Sequence, residues 1–359
     1  MNGLLMGLVG LHALCAQVPR LPGIPVVNDE LLAEMKDPPT LPSERESALA
    51  ALFRQAGAED AEIRWMELPD SAKQRIEGAR QEATRKLKEA GAPQAEIDAA
   101  VATFDRRQGA LGRNLIVTLP GRTDRVLGFG AHVDAAENSQ GVIDDWSGCV
   151  LLTNLYQTLK TSRPRHSLWF VAFAEQELGC LGSSAWAESL DPAMVEKLDA
   201  FVVIDCVGVC SPMAWWSGSS ASVVELAADA ATRFDVPLKV VDFPGASSDS
   251  LCVRSRGIPT LSLLGIDPPH VPLLHGPGDR FDAIVPARID ETYRLLRALA
   301  ADFDETMQPL HWDYAKEKLR LGDPASGRTP LQPIRLDLGA APPASAPPAD
   351  PPKKDGSHP

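Results

Sequence analysis

Three short blocks decide the reading of this chain: GAHVD at 130–134, IDDWSG at 143–148 and FAEQELGCLGS at 173–183. Each follows an apolar run or a glycine loop, and each carries imidazole or carboxylate side chains. The runs Val126–Ala131 and Leu168–Phe173 are continuous and apolar, as strands buried on both faces require. His132, Asp134, Asp144 and Glu177 therefore fall where strands end and loops begin, the place where open α/β sheets keep their chemistry. Asp205, at the end of the apolar run Phe201–Ile204, and His275, in a glycine- and proline-rich loop, extend the set.

Outward from these blocks the pattern alternates. Strands are expected at Asn114–Leu119, Val126–Ala131, Leu168–Phe173, Ala200–Ile204, Leu238–Val241 and Ile258–Leu264. Helices are expected at Ser147–Leu159, Gly182–Leu190, Ser222–Phe234, Asp249–Arg256 and Arg288–Phe303, the last with Ile289, Leu296, Leu299 and Phe303 on one face. Such alternation predicts an α/β fold: a doubly wound, mostly parallel sheet with helices on both faces. The organisation expected is a leader over 1–16, an extended arm over 17–42, one α/β domain over 43–321 and a disordered Pro/Ala-rich tail over 322–359. Within the domain, 70–107 reads as an inserted helical hairpin broken at Gly91–Pro93, with sparse apolar positions at Ile76, Leu87, Ile97, Val101 and Phe104. Ser43 is placed to cap a helix, with Glu46 three residues on as its capping-box partner.

The 359 residues are 44% hydrophobic, enough for a sizeable core, and the net charge of −13 argues against nucleic acid or anionic membrane as partner. No apolar run reaches the roughly 18–20 residues of a membrane span. Leu4–Ala16 has the length of a secretory signal, though no Lys or Arg precedes Arg20, so the expected location is periplasmic or extracellular. The six cysteines, Cys15, Cys149, Cys180, Cys206, Cys210 and Cys252, form no metal-type pair and read as small buried side chains.

Imidazole and carboxylate donors without thiolates suit zinc, and an acid-rich set suits a pair of ions. A lone His166, His270 or His311 carries no such weight. With these residues in place, the segments GAHVD, DDWSG, FVAFAEQELGCLGS, VVIDCVG, SSDSLCVRSRGIP and HGPGD resemble the zinc aminopeptidases that include bacterial leucyl aminopeptidase, aminopeptidase Y and the related glutaminyl cyclases. The likeness runs from about Asn114 to Phe303. It implies that His132 and Asp205 bind one zinc, Glu177 and His275 another, and that Asp144 bridges them, with Asp134 orienting His132. It implies a peptide or small N-terminal amine as substrate, and a general-base glutamate directly before the zinc-binding glutamate. Here that position holds Gln176, and a glutamine amide takes no proton at neutral pH. Aminopeptidase activity is then expected to be impaired; the alternatives are an inactive metal- or peptide-binding relative and a glutaminyl cyclase-like acyltransferase. Glu175 replaces the base only if the extended backbone persists and turns it to the same side as Glu177. Ser250 stands where the family often has a substrate-side histidine. Trp146 stands beside the bridging aspartate, either narrowing the cavity or filling the core.

Overall fold

The computed structural model describes residues 28–109, 111–306, 331 and 333–336. The expected leader and most of the expected tail lie outside them.

The expected arm contains a helix. Asn28 caps α1 (Asp29–Met35), its side-chain oxygen accepting from the Leu31 amide at 2.9 Å, and Leu31 and Met35 enter the core. Helix α2 (Pro42–Gln55) begins one residue before the expected Ser43 cap. Pro42 takes its first position, where a missing N–H leaves nothing unsatisfied. Glu46 makes no capping box: it is buried and accepts from the Arg113 amide at 2.6 Å and the Arg113 guanidinium at 3.1 Å. Leu49 and Phe53, one turn apart, pack into the core.

Strand β1 (Ile63–Met66) leads into α3 (Asp70–Glu89) and α4 (Gln94–Gly109). This pair is docked on the domain. Ala72 and Ile76 are buried against Leu181, with Phe104 and Leu178 packed beside them, and Arg75 donates to Ser184 Oγ at 2.9 Å. The hairpin thus rests on the segment that follows Glu177.

The α/β core then runs β2 (Asn114–Leu119), β3 (Val126–His132), α5 (Ser147–Lys160), β4 (Ser167–Phe173), α6 (Leu181–Ser189), α7 (Pro192–Lys197), β5 (Leu198–Asp205), β6 (Met213–Trp215), α8 (Ala221–Arg233), β7 (Lys239–Asp242), α9 (Asp249–Ser255), β8 (Thr260–Leu264) and α10 (Pro286–Thr306). One sheet orders its nine strands β1-β2-β4-β3-β5-β8-β6-β7, closed at the edge by β9 (Ile334–Arg335). The central four, β4-β3-β5-β8, are parallel; β1, β2 and β6 supply the antiparallel pairings. Two pieces of this sheet escape the sequence reading. Residues 334–335, within the expected disordered tail, pair in parallel with Val241 and Asp242, and β6 joins β8 to β7.

Alternation along β5 shows the layering. Ala200, Val202 and Ile204 face the core beneath α2, α5, α8 and α10, while Phe201 and Val203 face a second core with Trp186 of α6 and Val253 of α9. Gly128 of β3 makes room for Phe201: a Cβ there would stand 2.1 Å from the Phe201 ring. Chain order reverses at β3, whose neighbours are β4 and β5. The carboxyl ends of β3, β4 and β5 therefore open a crevice at a topological switch point.

Candidate metal centre

His132 ends β3, in register with Phe173 at the end of β4. Its Nε2 lies 2.8 Å from Asp144 Oδ1, and its Nδ1 lies 3.4 Å from Asp134 Oδ1. The Val133 amide still donates to the Phe173 carbonyl at 2.8 Å, which carries Asp134 alongside the turn after β4. There the Asp134 carboxylate accepts from the main-chain amides of Gln176 at 2.9 Å and Glu177 at 3.1 Å.

Asp144 comes from the irregular turn Val142–Trp146, which starts after Gly141 in the left-handed region. The Asp144–Asp145 peptide bond is cis. The two Asp144 oxygens face two imidazoles: Oδ1 toward His132, Oδ2 toward His275 Nε2 at 3.1 Å. Asp145 turns away, accepting from the His132 main-chain amide at 3.2 Å and lying against Gly148 at the start of α5, where a Cβ would collide with it. His275 Nε2 also lies 3.3 Å from Glu177 Oε2, and its ring is 61% exposed. Asp279, four residues on, accepts from the Ile143 amide at 2.6 Å and Ser139 Oγ at 2.8 Å, fastening the His275 loop to the segment that carries Asp144.

The five expected ligands therefore converge. His132, Asp144 and Asp205 offer donor atoms within 4.8 Å of one another; so do Asp144, Glu177 and His275, with Asp144 common to both groups. Burial opposes charge on His132, but the carboxylates of Asp134 and Asp144 outweigh it and raise its pKa well above the ordinary value. Burial likewise opposes charge on Asp144, and the two imidazoles overcome that and hold its pKa low. Burial and the nearby Asp144 charge push Glu177 up to about 8, and burial raises Asp205. Hydrogen bonding to Asp144 raises His275 to about 9. Buried carboxylates gathered in this way are costly unless cations pair with them.

The structure removes Glu175 from this group. Strand β4 ends at Phe173, and Glu175 has φ +53, so the extended alternation that would have aimed it with Glu177 is broken. Its buried carboxylate accepts from the Gly112 amide at 2.8 Å. Gln176 is half-buried beside Glu177. Trp146 is no substrate contact: the ring is buried, its Nε1 donates to the Glu34 carbonyl at 2.8 Å, and the Arg45 guanidinium lies over it at 5.1 Å. Ser250 is also wholly buried, at the start of α9, its hydroxyl directed at Gly218. Neither side chain forms surface that a substrate would touch.

Arg45 is the residue that sequence reasoning missed. It is fully buried in α2 and donates to the carbonyls of Val133, Gln140 (3.0 Å) and Gly141 (3.0 Å). Burial lowers its pKa, and the nearby Asp134 and Asp279 carboxylates act against that. One guanidinium thus ties the end of β3 to the loop that delivers Asp144. Its partners lie 88 to 96 positions away, so no local pattern announces it.

Fold and donor set together define an α/β protein with a carboxylate–imidazole cluster, able to hold metal, at the strand ends. Residues 114–300 match the model of peptidase family M28, and the chain belongs to that family. Among its relatives, leupeptin-inactivating enzyme 1 of Streptomyces exfoliatus is 27% identical over 154 residues, 42% of this chain and 35% of that protein. Aminopeptidase YwaD of Bacillus subtilis is 28% identical over 179 residues, 47% of this chain and 39% of that protein. The chain spans less than half the length of these relatives. The LapA aminopeptidase of Legionella pneumophila superposes with a TM-score of 0.57 at 14% identity, over 78% of this chain and 71% of that one, a likeness of fold.

Proposed function

We propose that the converged side chains hold two zinc ions and that the chain is a metal-dependent exopeptidase acting at peptide N-termini, with hydrolysis weakened at Gln176. The observation that carries this reading is the pair of donor groups sharing Asp144. Nitrogen and oxygen donors without thiolate fit zinc. So does the buried Glu177 Oε1, which has no hydrogen-bond partner among the described residues.

In this reading His132 and Asp205 hold one ion, Glu177 and His275 the other, and Asp144 stands between them. Asp134, facing Nδ1 of His132, keeps the ring proton on that side and leaves Nε2 as donor. Bound there, the ions supply Lewis acidity toward a scissile carbonyl and a water of lowered pKa. The crevice above β3 and β5 takes the free amine end of a peptide, and the exposed His275 borders its mouth. Neither residue just before Glu177 supplies a positioned base. Gln176 accepts no proton, and the Glu175 carboxylate is engaged with Gly112. A base of this kind contributes about 10²–10⁴ in rate.

The same two residues favour a second reading, a metal-holding relative that binds peptide N-termini without cleaving them. A cyclase-like acyl transfer needs the same acid/base group and gains nothing from Gln176. Export rests on the residue pattern of 1–16. Turnover of aminoacyl anilides by zinc-loaded protein separates the readings. The exopeptidase gives slow turnover, and Gln176→Glu raises it about 10²–10⁴-fold. No turnover by either form, with zinc bound, rejects the peptidase.

A further inference from the structure

A second concentration of charge lies at the other end of the sheet. Arg122, Arg163, Arg165 and Arg297 line a cavity of about 680 Å³ between the start of β4 and the last turns of α10. Asp304 is the one acid among the lining residues, and its oxygens are already taken. Oδ2 accepts from the Arg165 main-chain amide at 2.8 Å; Oδ1 accepts from the His166 amide at 2.7 Å and lies 3.0 Å from His166 Nδ1. The wall keeps an excess of positive charge in a chain whose net charge is −13.

Arg297 is the informative member. It is only 9% exposed, and among the described residues its guanidinium has no carboxylate partner and no hydrogen bond. Its guanidinium carbon lies 6.0 Å from the centre of the Tyr293 ring. Burial pulls its pKa down, as expected of a guanidinium short of counter-charge. A guanidinium partly desolvated at a cavity wall gains from an anion that pairs with it. Arg122, Arg163 and Arg165 stand exposed around it on the connections before β3 and β4, like a charged rim around a buried anchor. Ala300, Ala301 and Leu168 supply an apolar floor.

We propose that this cavity binds a small polyanion bearing two or more phosphate or carboxylate groups. Guanidinium forks engage such oxygens in pairs. The volume falls within the roughly 300–1,000 Å³ of small-ligand pockets and is larger than a single simple ion requires. The inference is independent of the exopeptidase reading. The metal centre lies at the carboxyl end of β4, whereas this cavity opens at its amino end.

The test is calorimetric titration of the full chain with sodium tripolyphosphate and, separately, with citrate, at ionic strength held constant with sodium chloride. The expected result is saturable binding at one site per chain that Arg297→Gln weakens about tenfold or more, with Arg297→Lys recovering only part. Arg163→Gln, on an exposed turn, weakens it without any burden on folding and decides the matter if Arg297→Gln does not fold. Tighter binding of tripolyphosphate assigns phosphate chemistry to the site; tighter binding of citrate assigns carboxylate chemistry. Heats no larger than those of sodium chloride overturn the proposal. So does binding that the arginine variants leave unchanged, as chelation at the metal centre would be.

Discussion

The Asp134 carboxylate accepts the main-chain amide of Glu177 at 3.1 Å, although the two residues leave different strands. It also accepts the Gln176 amide and faces His132 Nδ1. One side chain thereby sets the distance between a donor from the end of β3 and a donor from the turn after β4. That distance has to be right before any ion arrives.

Asp134→Asn tests this directly. The amide has one acceptor oxygen where the carboxylate has two, so one main-chain N–H loses its partner. Zinc affinity is expected to fall about 10–100-fold, and the fold to lose about 1–3 kcal/mol. Competition with a chromogenic chelator measures the first and urea unfolding the second; unchanged affinity shows that the strand ends hold their spacing without Asp134.

Arg45→Met removes the clamp on Val133, Gln140 and Gly141 while filling much of the same space. Three buried carbonyls lose charged donors, and the relief of desolvating a cation offsets only part of that. The expected loss is about 2–4 kcal/mol of stability together with weaker zinc binding. Arg45→Lys restores little, since an ammonium does not span the same three carbonyls. Denaturant unfolding of zinc-loaded and zinc-free protein resolves the two effects.

His166 gives the pH prediction. Burial pushes its pKa down, and the Asp199 and Asp304 carboxylates, each 3.0 Å away, outweigh burial and raise it above 6.5. A raised histidine stabilises the fold fully below its unfolded pKa, here 6.5, and loses that contribution as pH rises through the folded value. His166→Gln should cost about 3 kcal/mol at pH 6, and the gap to the parent protein should narrow in alkaline buffer. Thermal unfolding across pH 6–10 checks the sign, and a gap that widened with pH would reverse it.

The core was legible because β3, β4 and β5 are buried on both faces and read as unbroken apolar runs. Their ends are equally legible, which is how His132, Glu177 and Asp205 were placed, whereas Asp144 and His275 lie on loops and entered the set through the family resemblance. What escaped depends on long-range partners or on local backbone turns. β9 is two residues long and exists only through Val241 and Asp242. The direction of Glu175 follows from a positive φ that period-two reasoning does not foresee. Glu46 looked like a capping residue, yet its partner is Arg113, far along the chain. Trp146 had two readings, and the packing of Arg45 across its ring selects the core.

Anomalous diffraction at the zinc edge, from crystals of the zinc-loaded protein, bears most directly on the central claim. The account predicts two peaks about 3.5–4 Å apart, one on each side of Asp144, the first near His132 and Asp205 and the second near Glu177 and His275. One peak, or two that do not share Asp144, would contradict it.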